Sequence, residues 1–346
     1  MFPVSRHLLP GLALGLFCAF ASVAKPVEIG STADNQARYI ATHFPGRMAG
    51  SPAEMLAADY LLQQFNRWGY QSNIRQLNTR YLYTPAHGLQ TWQNVTANTV
   101  IAARAGKEPQ QIIIMAHLDT YAPVNDKDVD NNLGGIALQG IDDNASGIGV
   151  MLELAERLRD VPLRYGIRFI ATSSKLPAAA GAMSVVERMS EEERKNTLLV
   201  IDLDSLIVGD TLFFSSSAST PTPVRKLSRD RAISLARQFG IPVAISHDIP
   251  LLSTKKTDFY QEADIFDRAG IPVLMVTARH PGAAPDQQRA KSKAFPDGSA
   301  RHSASRDNIQ YLDKWLPGQI KKRTHDVTRI MLPLVKSLVQ AGHQDK

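Results

Sequence analysis

The sequence predicts an α/β fold, a three-layer αβα sandwich around a mixed, mostly parallel sheet, and three observations carry that reading. Residues 111–116, Gln-Ile-Ile-Ile-Met-Ala, form an apolar run without polar alternation, as expected of a strand covered on both faces. From Ser146 onwards helical and extended patterns alternate, the arrangement that lays helices on both sides of a largely parallel sheet. The polar residues His117 and Asp119, and then 142–147, follow on these segments, and open α/β sheets gather their ligands at the carboxyl ends of their strands.

In chain order, residues 1–24 carry Arg6 and His7, an apolar stretch over 8–20, and the small residues Ser22 and Ala24. This reads as a cleaved secretory leader, which places the protein in the periplasm or outside the cell, with 25–346 as a single domain. The stretch is too short to span a bilayer comfortably, and no later run reaches about 18 uninterrupted apolar residues, so no membrane partner is expected after cleavage. The only cysteine, Cys18, lies in the leader. A mature chain of roughly 320 residues therefore has no disulfide and relies on a hydrophobic core that its length can supply.

A helix is expected over 34–44, followed by a turn at Pro45-Gly46. Ser51-Pro52-Ala53-Glu54 is a capping box with proline at the first helical position, and Met55, Ala58, Leu62 and Phe65 then share one face until Gly69 ends the helix. Strands are expected over 72–83 and 94–103, so the sheet begins antiparallel before the central strand at 112. The loop 121–139 places Asp126, Asp128 and Asp130 at alternate positions, like the start of a calcium loop, but the glycine and closing glutamate of that motif are absent. Beyond it come a helix from Ser146 that buries Met151, Leu154, Ala155 and Leu158, then strands over 167–172, 198–203 and 271–276. Helices are expected over 223–240 and 261–269, a long polar loop over 279–304, and a last helix running to about 340 and bent at Pro333.

The formal charge of +6 falls to +5 once Arg6 leaves with the leader, 38 basic residues facing 33 acidic ones. Apart from 321–323 and 289–293 the basic residues are scattered, which speaks for solvated faces and against a nucleic-acid partner. No Gly-x-Ser-x-Gly occurs, so serine hydrolysis ranks low.

The candidate site starts from His117-Leu118-Asp119. On an extended chain residues two apart point the same way, so Asp119 can hold one imidazole nitrogen while the other faces a metal. Asp143 in Asp142-Asp143-Asn144-Ala145-Ser146-Gly147 adds a carboxylate, Asp204 follows the strand 198–203, and His302 ends the long loop. Two His and two Asp suit a metal such as zinc. Each also has a plainer reading, as a strand-end histidine, a helix-capping Asx turn, a strand-exit aspartate or a surface histidine.

The order of these motifs resembles that of the co-catalytic dizinc aminopeptidases of peptidase family M28. The resemblance also takes in Gly46-Arg47-Met48-Ala49-Gly50-Ser51-Pro52, residues 98–102 and 269–273, and so spans nearly all of the mature chain. It implies a zinc aminopeptidase acting on peptide or protein N-termini. It further implies one zinc on His117, Asp204 and the bridging Asp143, with Asp119 behind them, a second zinc on Asp143 and His302, and a cis bond between Asp143 and Asn144.

One part of the family pattern is missing. Where the resemblance calls for a Glu-Glu pair after the strand 167–172, alignment on Gly181-Ala182 puts Lys175 at the general base and Leu176 at the second zinc's carboxylate. Leucine offers no lone pair, and an ammonium accepts no proton. At an effective dielectric near 20, a unit charge about 5 Å from a dication is opposed by roughly 6 to 7 kcal/mol. Lys175 is therefore expected to turn away, lose its proton or weaken metal binding, leaving one secure zinc of the two. Two functional readings follow, a weakly active zinc aminopeptidase and a binding or scaffold protein on the same fold.

Overall fold

The computed structural model describes residues 27–175, 179–217, 219–245, 261–279 and 300–341. The leader, Leu176 and most of the loop 279–304 lie outside the described residues. The helices are α1 (Ser31–His43), α2 (Pro52–Arg67), α3 (Asp126–Asn132), α4 (Ser146–Leu158), α5 (Ala180–Glu187), α6 (Glu191–Asn196), α7 (Thr222–Arg225), α8 (Arg231–Gln238), α9 (Gln261–Arg268), α10 (Ile309–Trp315) and α11 (Gln319–Gln340). The strands are β1 (Gln71–Tyr83), β2 (Thr91–Arg104), β3 (Glu108–His117), β4 (Tyr165–Thr172), β5 (Thr197–Leu203), β6 (Thr211–Ser216), β7 (Val243–Ile245) and β8 (Val273–Arg279).

The eight strands form one mixed sheet in the order β1-β2-β4-β3-β5-β8-β6-β7. Its first two pairings are antiparallel, and β4, β3, β5 and β8 then run parallel through the middle. The central run behaves as its composition demands. Ile112, Ile114 and Ala116 pack with α1, α4 and α11 on one face, while Ile113 and Met115 pack with α5 and α9 on the other. Each of the three isoleucines is essentially fully buried, worth about 1.5–3 kcal/mol per side chain by transfer from water.

Helix α4 buries Met151, Leu154, Ala155 and Leu158 as its spacing predicts. Helix α2 differs from expectation. Ser51 does cap it, accepting from the Glu54 N–H at 3.1 Å, but Glu54 does not complete a capping box. Its carboxylate turns inward and accepts from Gly50 N, Asn98 N and Asn98 Nδ2 at 3.3, 2.7 and 2.7 Å, and from Ser173 Oγ. The buried face is accordingly Glu54, Ala57, Ala58, Leu61 and Phe65, leaving Met55 exposed.

Strands β6 and β7 and helix α3 are not legible in the sequence. The calcium-like aspartates lie on α3 and serve as fastenings. Asp126 accepts from Tyr83 Oη and Ala86 N at 2.5 and 2.8 Å, and Asp128 from Tyr121 Oη and Asn125 Nδ2 at 2.7 and 2.8 Å. Pro333 sits inside α11. No helix among the described residues is long and apolar enough to cross a membrane.

Candidate metal centre

Parallel register brings the site together. His117 ends β3 opposite Thr172 of β4, and Asp204 leaves β5 with its N–H donating to Val276 O at 3.1 Å. Asp143 enters from the wide turn Ile141–Ala145 that leads into α4. The Asp143–Asn144 bond is cis, as the resemblance implies. Asn144 ties this turn to β5: Nδ2 donates to Leu203 O at 2.8 Å, and Oδ1 accepts from Gly147 N and Ser205 N at 3.0 and 3.2 Å. The motif closes in glycine because a Cβ at Gly147 would stand 2.3 Å from Leu203 O.

Two buried groups brace the same turn. The Arg47 guanidinium, wholly enclosed, donates to the carbonyls of Leu118, Phe44, Gln139 and Gly140 at 3.0, 3.0, 2.8 and 3.3 Å. Asp142, beside the candidate ligand, points the other way and accepts from Ile207 N and Val208 N at 2.8 and 3.0 Å. Burial lifts the Asp142 pKa to about 7 in spite of those two donors.

Ligand atoms of His117, Asp143 and Asp204 all lie within 4.8 Å of one another. His117 Nε2 is 2.9 Å from Asp143 Oδ1 and 3.7 Å from Asp204 Oδ1. Zinc bonds of about 2.0–2.2 Å in a tetrahedron set donors about 3.4 Å apart, so these three can hold one zinc ion. His117 Nδ1 faces an acceptor, the Asp119 carbonyl, at 2.9 Å. Nδ1 therefore carries a proton and Nε2 is the nitrogen turned to the site. The expected partner was the Asp119 side chain, but its Oδ1 is 3.5 Å away; Oδ2 instead accepts from Lys175 N at 3.1 Å. His302 stands at the rim, Nε2 3.7 Å from Asp143 Oδ2, its ring stacked on Tyr121 at 4.2 Å. It joins the cluster through Asp143, outside the set of three. Burial lowers its pKa to about 4, against the pull of Asp143.

Lys175 does not turn away from the site. Its side chain is buried and points into the donor set, with Nζ 2.5 Å from Asp204 Oδ2, 3.1 Å from His117 Nε2 and 3.6 Å from Asp143 Oδ1. Burial works against the ammonium, but Asp204 and Asp143 outweigh it and hold its pKa above the ordinary value. The expected repulsion presumed a dication already in place; with the carboxylates of Asp143 and Asp204 at 3.6 and 2.5 Å, the lysine is attracted instead. Arg301, not singled out in the sequence, donates from Nε to the far oxygen of Asp143, Oδ2, at 3.0 Å. Asp143 is consequently held well below the usual carboxylate range in spite of burial, first by Arg301, then by Lys175 and His117. Asp204 is likewise depressed against burial, chiefly by Lys175. His117 rises well above its ordinary value because Asp119, Asp143 and Asp204 outweigh burial and Lys175.

A narrow cleft of about 20 Å³ opens onto this cluster, lined in part by Ala49, Tyr81, Thr120, Tyr121, Ser174 and Lys175, and no glutamate is among its described lining residues. Glu54 is committed to Asn98 and Ser173, Glu262 accepts from Thr172 Oγ1 at 2.5 Å, and Glu193 caps α6.

Comparisons with known proteins agree with this architecture. The family described as Peptidase family M28 matches residues 98–328. The chain is 54% identical over 345 residues to the alkaline phosphatase isozyme conversion protein of Escherichia coli (strain K12), covering 99% of this chain and 100% of that one. Among solved structures, a zinc aminopeptidase from Bacillus subtilis superposes with a TM-score of 0.68 at 14% identity, covering 92% of this chain and 97% of the other. The aminopeptidase from Aneurinibacillus sp. strain AM-1 gives 0.67 at 15% identity, over 90% and 94%. At such identities these two likenesses concern the fold. With a family match over more than half its length and a full-length relative at 54% identity, the chain belongs to peptidase family M28.

Proposed function

We propose that this is an exported member of its family that engages peptide or protein N-termini and cleaves them at or near background rate. The observation that carries the reading is Lys175. It occupies the family's general-base position by resemblance and directs an ammonium at Asp204 and His117. General acid–base catalysis contributes about 10²- to 10⁴-fold, and an ammonium anchored to a carboxylate 2.5 Å away accepts no proton. Zinc held by His117, Asp143 and Asp204 would supply Lewis acidity at the scissile carbonyl. The chain's own residues supply orientation: His117 is fixed by the Asp119 carbonyl, Asp143 by the Asn144 turn and Asp204 by β8.

Export is supported by the leader-like segment 1–24. The intact donor set favours a second reading, slow zinc-dependent aminopeptidase activity. Hydrolysis of aminoacyl-nitroanilides, with and without added zinc, separates the two. We expect rates at or near background, and a gain in activity for Lys175→Glu combined with Leu176→Glu. Slow hydrolysis that requires zinc would support the second reading. Chelator-sensitive hydrolysis by the unaltered chain at ordinary rates, about 1–10³ s⁻¹, would overturn the proposal.

A further inference from the structure

We infer that Lys175 is a built-in cation that takes the metal's place: its ammonium and a zinc ion are alternative occupants of one donor set, and the centre holds together without metal. This deepens the reading of an impaired centre and rests on it.

The argument is geometric. Nζ lies within 3.6 Å of a donor atom on each of His117, Asp143 and Asp204, the three residues that can hold a metal. An ion bonded to all three must lie about 2.0–2.2 Å from each donor, which puts it in the space the ammonium fills. Both are cations in a buried, poorly screened setting, so one excludes the other. Three further features make this a built arrangement. The Lys175 main chain is pinned, N–H to Asp119 Oδ2 at 3.1 Å. Two residues earlier, Ser173 Oγ donates to buried Glu54. On the opposite side Arg301 Nε takes the remaining oxygen of Asp143, the one that faces His302 across 3.7 Å. Both oxygens of the bridging carboxylate are thus approached by side-chain cations. Zinc enters only when Lys175 withdraws, and Asp143 is not free to share a second ion while Arg301 holds Oδ2.

The test compares zinc binding to the full-length mature protein and to Lys175→Met, which keeps the length of the side chain and removes its charge. Changes in the outer shell of a metal site move affinity about 10- to 100-fold; removing a cation from inside the donor set should exceed that. We expect Lys175→Met to bind zinc at least about 100-fold more tightly, with a cobalt-substituted spectrum of a four- or five-coordinate site. The unaltered protein should melt at the same temperature with and without chelator, while Lys175→Met should melt lower without zinc and recover with it. Should Lys175→Met fail to fold, acetylation of lysines in the unaltered protein, read by mass spectrometry, decides the matter. Lys175 should be protected without zinc and become reactive when saturating zinc expels it.

Equal zinc affinity in the two proteins would overturn the inference, as would saturation of the unaltered protein with Lys175 still protected. Neither result bears on the proposed function, which stands or falls on hydrolysis of aminoacyl-nitroanilides.

Discussion

Asp307 accepts the main-chain N–H groups of Asp142 and Asp143, at 2.7 and 3.2 Å, from 165 and 164 residues further along the chain. The carboxyl group is buried and so are both donors. Burial, and then Asp142 and Asp143, raise its pKa well above the carboxylate range. This clamp sets the direction in which Asp143 leaves the turn. A buried donor left without a partner costs about 1–3 kcal/mol. Asp307→Ala should therefore lose about 2–5 kcal/mol in urea denaturation, and Asp307→Asn about half of that, since its oxygen still serves one N–H. Equal stability of all three proteins would show that the clamp contributes nothing.

Glu54 tests the support beneath Lys175. Its carboxylate accepts from four donors, and an amide can accept at only one of its two ends. Glu54→Gln should lower stability by about 1–3 kcal/mol. It should also raise hydrogen exchange at residues 173–175, because Ser173 loses its partner or competes for it. A loss of stability without faster exchange there would separate Glu54 from the positioning of Lys175.

Arg47 gathers five carbonyls, those of Ile40, Phe44, Leu118, Gln139 and Gly140, from three places in the chain. Lysine keeps the charge but offers one nitrogen in place of a planar fork, so at least two of those carbonyls lose their donor. Arg47→Lys should cost about 2–4 kcal/mol. Its effect should appear first as faster exchange around 138–143, where Gly140 approaches Asp143 O so closely that a Cβ would stand 2.7 Å from it. A stability change below about 0.5 kcal/mol would mean that water serves these carbonyls equally well.

Metal content offers a fourth check. Metal analysis after dialysis of zinc-loaded Lys175→Met should give about one zinc per chain, because His117, Asp143 and Asp204 form the one three-ligand set among the described residues. His302→Ala should leave that number unchanged, since His302 stands 3.7 Å from Asp143 and stacks on Tyr121. Two tightly held zincs would require ligands outside the described residues.

Much of this molecule was legible from its sequence because local pattern and burial coincide there. The unbroken run Ile112-Ile113-Ile114 announced a strand with two covered faces, and each face has its own helices. His117, Asp143 and Asp204 were legible as strand-exit and turn residues, since exits of parallel strands share one edge. Strand β7 is not legible because it is a three-residue edge strand, and β6 because the apolar run Leu212-Phe213-Phe214 is too short to tell from a buried helix segment. The rotated face of α2 escaped because a capping box and an inward-facing glutamate have the same sequence, Ser51 to Glu54.

What the sequence by itself determined, then, was the layered fold, the order of the donor motifs and the presence of Lys175 and Leu176 where the resemblance calls for two acids. Only the tertiary structure decided where the Lys175 side chain goes. Whether Lys175 shuns the site or fills it depends on the summed charge of Asp204 and Asp143, brought from two separate stretches. The same holds for Arg301 on Asp143 and Asp307 beneath it, contacts spanning 158 and 164 residues. Periodicity records which side of a segment is buried, a property of neighbours along the chain. The sign and strength of a buried electrostatic interaction depend on distances in space, which no local pattern encodes.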